Sequence, residues 1–210
     1  MTNPTTNMSS REQILSKIRS ALPPEAERPS LPHYGTNDLL SLPHLEGLDL
    51  WDTFCRNFHN VHGRAMESVD DLAEFLAERK MTTGYCDPAL LDLVGEALRS
   101  RGMTVETEFD RERYDDYQFG ITRATGAIAE SGTLIIDDER TADRLAALAP
   151  WVHVGVLERS ELIRSIPEAI DRFGGCPNII WATGPSKTAD VEGILIEGVH
   201  GPGEEIALLV

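Results

Sequence analysis

Ile14, Leu15, Ile18 and Leu22 fall on one face at helical spacing. Just before them, Ser9-Ser-Arg-Glu12 has the form of a capping box, in which serine and glutamate satisfy each other's unpaired amides. Pro23-Pro24 ends this helix, and residues 23–46, with five of the twelve prolines and few periodic apolar positions, read as an extended linker. Leu48, Trp51, Phe54, Cys55 and Phe58 form a second helical stripe, the core face of a domain. Ser68-Val-Asp-Asp71 caps a helix reaching about Lys80, Thr82 to Cys86 is strand-like, and Pro88 opens a helix that ends near Gly102. Met103 to Phe109 alternates with period two. Ile128 to Ile136 reads as two strand pieces around Glu130-Ser-Gly132. The pattern then predicts a helix over Thr141–Leu148, a strand over Val152–Leu157, and a helix from a Ser160 cap toward Phe173 that Pro167 breaks in two. Strands at 178–182 and 194–199, both expected to be buried, flank a short helical turn near 186–192, and a strand at 205–210 closes the chain.

Strands that alternate with helices predict an α/β fold: a mostly parallel central sheet with flanking helices. The N-terminal helical arm and linker occupy 1–46 and the α/β domain 47–210. The 210 residues, 41% hydrophobic and 26% charged, suit one large domain with an appendage. The net charge of −16 repels phosphate backbones and anionic lipid, which argues against nucleic-acid and membrane partners, while a local basic patch could still hold one small anion. Cys55, Cys86 and Cys176 are far apart and form no C-x-x-C pair, so neither a disulfide scaffold nor a cluster or zinc motif is predicted. His59 and His62 are three residues apart without completing ligands, and His33 and His44 fall in the linker, so no metal site is predicted. No apolar run nears the roughly 20 residues of a membrane span. Met1 to Ser10 lacks a signal peptide's apolar core, so a cytoplasmic location is expected.

Three loops could carry chemistry. In Gly126 to Thr133, Glu130 stands alone among small residues; buried, it would suit acid, base or nucleophile work, and exposed, it would be an ordinary turn residue. Gly184-Pro-Ser-Lys-Thr-Ala-Asp190 follows a strand. If it opens a helix, its amides, Ser186 and Thr188 hydroxyls and Lys187 ammonium would hold a carboxylate or phosphate. It is not a Walker loop, because Trp181 and Ser186 occupy the glycine sites. Simple capping by Ser186 or Thr188 is the alternative, with Asp190 and Glu192 holding the lysine or a hydroxyl. His200, before Gly201-Pro-Gly203, is either a proton carrier at a strand end or a satisfied structural histidine.

Taken in series, Gly120-Ile-Thr122, Ile128-Ala-Glu-Ser-Gly-Thr-Leu134, Gly184-Pro-Ser-Lys-Thr-Ala-Asp-Val-Glu192 and Gly198-Val-His-Gly-Pro202 resemble the LUD-domain family of the LutC/YkgG type. The resemblance covers roughly residues 45–210. It implies a fold similar to the NagB/RpiA/CoA-transferase group, and a role in oxidising L-lactate to pyruvate beside two iron–sulfur proteins. This chain is then the cluster-free component, with the clusters in its partners. It would bind lactate, pyruvate or another small anion at Gly184, Ser186, Lys187, Thr188 and Asp190, with Glu130 and His200 lining the pocket. The stretch Arg123-Ala-Thr-Gly126 departs from the family's usual acidic residue between the first two motifs. Two alternatives stay open: a stand-alone acyl or CoA-ester enzyme with Glu130 as nucleophile, and a pure interaction subunit that docks through the helix at 9–22. An exposed apolar face on that helix would also suit a homo-oligomer.

Overall fold

A computed structural model describes residues 9–24, 30, 47–176, 178–189 and 193–210. The chain divides into two units, 1–39 and 40–210. In the first, helix α1 (Ser10–Ala21) carries the predicted capping box: Ser9 N–H donates to Glu12 Oε2 at 2.7 Å and Glu12 N–H to Ser9 Oγ at 3.3 Å. Ile14, Ile18 and Leu22 on its apolar face are exposed.

The second unit is built on a six-stranded sheet that is parallel throughout. Its strands are β1 (Arg64–Met66), β2 (Thr83–Cys86), β3 (Thr104–Glu106), β4 (Phe119–Arg123), β7 (Val152–Leu157) and β12 (Glu204–Leu209), in the order β1-β12-β7-β4-β2-β3. Alternation decides which face each side chain takes. Val152, Val154 and Val156 join Phe119, Ile121, Ile206 and Leu208 in a core closed by Leu72 and Leu76 of helix α3 (Val69–Glu78) and by Leu90, Val94 and Leu98 of the helical run 88–100. That run includes α4 (Glu96–Ser100). On the opposite face, Leu157, Ala207 and Leu209 meet Trp51, Phe54 and Phe58 of helix α2 (Leu50–Asn60).

A second, four-stranded sheet shares this core, with Ala127, Leu134 and Leu162 packed among the same residues of α2 and the parallel sheet. Its strands β5 (Gly126–Ile128), β6 (Thr133–Asp137), β8 (Leu162–Ile163) and β9 (Ile179–Ala182) run in the order β8-β5-β6-β9. Leu134 of β6 sits against Gly155 of β7, where a Cβ would come within 2.7 Å of Leu134 Cδ1. The two sheets approach at a position where an added Cβ would force the tip of Leu134 to shift.

Several expectations are corrected. The segment from Ser160 to Phe173 is not one broken helix. A short 3₁₀ turn, Arg159–Glu161, leads into β8, which pairs with Ala127 and Ile128, and only then does helix α5 (Ile166–Phe173) begin. Ser165 caps it and Pro167 lies in its first turn, where a missing N–H costs nothing, so the proline starts a helix. The helix expected over Thr141–Leu148 is a 3₁₀ turn, Arg144–Ala147, capped by Asp143. No helical turn follows Gly184 among the described residues: β10 (Lys187–Thr188) pairs antiparallel with β11 (Ile196–Glu197). The run at 194–199 is not buried: among the described residues no layer covers this two-stranded ribbon, and Ile194, Leu195, Ile196 and Val199 are all exposed.

Within the parallel sheet, three polar side chains share the α2-facing side. Thr122 Oγ1 lies 2.9 Å from His153 Nε2, and His153 Nδ1 lies 2.6 Å from Glu205 Oε1, all three residues being buried. Removing one member strands the others away from water, so His153→Ala is expected to cost about 3–5 kcal/mol in urea unfolding. Desolvation holds the Glu205 carboxyl above the ordinary glutamate range, with His153 opposing it. The folded state thus keeps this proton to higher pH than the unfolded chain. The stability this adds is complete below the unfolded pKa of about 4.3 and is lost as pH rises through the folded value. Relative to Glu205→Gln, the natural protein should therefore lose stability as pH is raised from about 4 toward neutrality. A difference between the two proteins that is flat in pH would contradict this.

Candidate functional site

The predicted loops gather around the C-terminal end of α2. Asn57 Nδ2 donates to the carbonyls of Ala129 (2.8 Å) and Glu130 (3.0 Å), fixing the turn between β5 and β6. Gly132 in that turn has φ +62°, and a Cβ there would lie 2.3 Å from Phe58 N, so only glycine lets the turn reach the helix backbone. Gly184, at φ +74°, comes as close from another side, its absent Cβ 2.2 Å from the Val61 carbonyl oxygen. That oxygen accepts a hydrogen bond from Lys187 Nζ at 2.7 Å. The ammonium also lies 3.6 Å from Glu197 Oε1, which meets His62 Nδ1 at 2.6 Å. A cation at a helix C-terminus, where carbonyls lack partners, is favourable on both charge and hydrogen-bonding grounds.

The same loops are tied to one another. Ser186 N–H donates to Pro202 C=O, and Gly198 N–H donates to Ser186 C=O, both at 2.9 Å. Thr133 Oγ1 is 2.7 Å from Ser131 Oγ and 2.8 Å from Thr183 Oγ1. The structure thus brings Gly184, Ser186, Lys187 and Thr188 together with the Gly201–Gly203 loop and the Ser131–Gly132 turn. Glu130 is directed elsewhere: its Oε2 accepts the Ile166 N–H at 3.0 Å, at the start of α5. His200 is exposed, and Asp190, Glu192, His33 and His44 lie outside the described residues. The amides at Ser186 and the ammonium of Lys187 hold the protein's own carbonyls.

A 540 Å³ cleft beside this region is lined by Cys55, His59, His62, Gly63, Arg64 and Ala65. Burial, with Glu67 nearby, pushes the Cys55 thiol up to about 11, and burial beside Asp87 pushes Cys86 up to about 12. Neither thiol is an available thiolate at neutral pH. Among the described residues no group of three His, Cys, Asp or Glu is set to hold a metal ion.

A second constellation, at the carboxyl ends of the parallel strands, was not singled out from the sequence. Arg123 ends β4, with Nη2 3.0 Å from both Glu158 Oε1 and Glu161 Oε1. Arg140 Nη1 reaches the same Glu161 oxygen at 2.6 Å. Hydrogen bonds to Glu161, then Glu158, raise the Arg123 pKa further. Asp87, buried at the end of β2, accepts from Ala89 N–H and Ala142 N–H, each at 3.0 Å, and holds the loop after β6 in place. The signal that could have revealed this region is positional: arginines and small polar residues directly after predicted parallel strands.

Residues 65–210 match the LUD domain family. The chain belongs to that family. Similar proteins carry the name lactate utilization protein C. The one from Halalkalibacterium halodurans is 29% identical over 155 residues, covering 66% of this chain and 66% of its own. The one from Bacillus pumilus is 23% identical over 97% of both chains. Others of that name match over only about two fifths of their length. Among solved structures, a DUF162 family protein from Deinococcus radiodurans superposes with TM-score 0.54 at 17% identity, covering 81% of this chain and 99% of that one. At that identity the likeness establishes a shared fold. The LUD match starts at Ala65, so α2, on which the motif-bearing loops close, precedes the matched region.

Replacing the Lys187 ammonium should expose what it holds. Lys187→Ala leaves the half-buried Val61 carbonyl unpaired and should lower unfolding stability by about 1–3 kcal/mol. Urea denaturation checks this, and an unchanged midpoint would mean that carbonyl has another partner.

Proposed function

We propose that this LUD-family chain serves in lactate utilization, as the cluster-free component that works beside iron–sulfur proteins oxidising L-lactate to pyruvate. The observation that carries the reading is the family match over residues 65–210, together with relatives named lactate utilization protein C. In this reading the clusters, and electron transfer with them, belong to the partners: Cys55, Cys86 and Cys176 are far apart in the sequence and form no C-x-x-C pair. A small carboxylate is the ligand this role calls for. Lys187 ties the Gly184–Thr188 segment to the carbonyl at the end of α2, and the Ser186 amide ties it to Pro202.

The test is genetic and biochemical. A source strain lacking this chain should fail to grow on L-lactate as sole carbon source and recover with the natural copy. Native purification from lactate-grown cells should bring brown, iron-bearing proteins with it. Unimpaired growth on lactate would overturn the reading.

Glu130 distinguishes this role from a CoA-ester enzyme. As an acceptor at the α5 N-terminus, it should cost only about 1 kcal/mol when changed to alanine, with lactate growth retained. Loss of growth in a Glu130→Ala strain whose protein melts normally would return the carboxylate to the chemistry.

A further inference from the structure

After β4 the chain leaves the parallel sheet and, through Ala124 and Thr125, enters β5 of the second sheet. Strand ends where neighbouring connections diverge are where α/β folds hold ligands. At this point lies a pocket of about 360 Å³, lined by Thr125, Asp137, Arg140, Arg172, Phe173 and Cys176 among others. Thr125 is 3% exposed. Its Oγ1 is the one buried side-chain polar atom without a hydrogen-bond partner among the described residues. The backbone that carries it is fixed, because Thr125 N–H donates to Ile135 C=O at 2.7 Å. A buried hydroxyl held unpaired costs stability, and a ligand that pairs it recovers that cost.

The rest of the lining narrows the ligand. Asp137, 3% exposed, is fixed by the N–H groups of Glu139 and Arg140, which donate to its Oδ1 at 3.0 and 2.9 Å. Its carboxylate can only accept. Arg140 is anchored through Nη1 to Glu161 and keeps further N–H donors. Arg172 adds a second guanidinium, its carbon 5.3 Å from the Phe173 ring centroid. Guanidiniums only donate, and a threonine hydroxyl both donates and accepts. A simple carboxylate or inorganic anion would satisfy the arginines and set its charge against Asp137. A molecule with a carboxylate and a hydroxyl satisfies the set: its carboxylate meets Arg140 and Arg172, and its hydroxyl donates to Asp137 and accepts from Thr125.

We propose that the pocket bounded by Thr125, Asp137, Arg140 and Arg172 is a binding site for a small hydroxycarboxylate. The choice of L-lactate as first probe rests on the function proposed above; the site rests on the orphan hydroxyl and its neighbours. Binding is read by calorimetry or NMR titration on the full-length protein, with L-lactate, glycolate and malate as probes and acetate and sulfate as controls. At least one hydroxycarboxylate should bind more tightly than either control. Thr125→Val should weaken it about tenfold while melting no lower than the natural protein, because a methyl replaces an unpaired hydroxyl. Thr125→Ser should restore it to within about threefold. Arg172→Gln, on the exposed side of the pocket, should also weaken it about tenfold and guards against misfolding of the buried variant. Acetate or sulfate binding as well as the hydroxy acids would overturn the proposal. So would wild-type affinity in both Thr125→Val and Arg172→Gln, or no binding by any of the three acids up to roughly 50 mM, above the millimolar range expected for so small a ligand. Should the chain prove necessary for growth on lactate while the purified protein binds none of them, the pocket falls and the functional reading stands.

Discussion

The Val61 carbonyl, one residue past the last turn of α2, is met from two directions. Lys187 Nζ donates to it at 2.7 Å, and Gly184 passes so close that a Cβ would lie 2.2 Å away. A helix end presents carbonyls without partners, and here the protein satisfies one with a cation carried in from a distant loop. Phe58, three residues earlier, packs in the core while its backbone nitrogen faces Gly132. One turn of helix therefore sets the positions of the β5–β6 turn and the segment before β10. Through the Ser186–Pro202 and Ser186–Gly198 hydrogen bonds it also sets the entry to β12. The glycines and lysine that carry the family pattern are read most economically as the residues that let these backbones meet.

The two ends of the β5–β6 hairpin differ in how their polar groups are paired. The turn with Glu130 lies at one end and Thr125 with Asp137 at the other, since Gly126 pairs with Ile135 and Ile128 with Thr133. At the turn, polar groups bind one another. At the opposite end, arginines are tied to carboxylates and a buried hydroxyl is not tied at all. An acidic chain can still offer a guanidinium-lined pocket because paired carboxylates fix those arginines locally, and at short range position outweighs net charge.

Much of the fold was legible. The stripe at Trp51, Phe54 and Phe58 became a buried helix face, Ser68 capped its helix, and Val152–Leu157 was a strand of the predicted parallel sheet. These elements are set by periodicity and capping, which act within a few residues. Two of the misreadings share a cause. Leu162–Ile163 is a strand because Ala127 and Ile128 lie beside it, and Lys187–Thr188 because Ile196–Glu197 does. Partners supplied by distant residues overrode local preference. The apolar run at 194–199 looked buried because composition cannot tell a run that is covered from one that is not.

The sequence by itself determined the capped and striped helices, the parallel strands near 82–86, 103–109, 152–157 and 205–210, the core stripes and the motifs that mark the family, because each depends on spacing along the chain. Only the tertiary structure decided which groups the motif residues meet. It turned Lys187 toward a helix carbonyl and Glu130 toward a helix amide, and it left Thr125 buried with its hydroxyl unpaired. Hydrogen bonding is a matter of which groups meet within about 3 Å, and that proximity joins residues more than a hundred positions apart, as it does Val61 and Lys187.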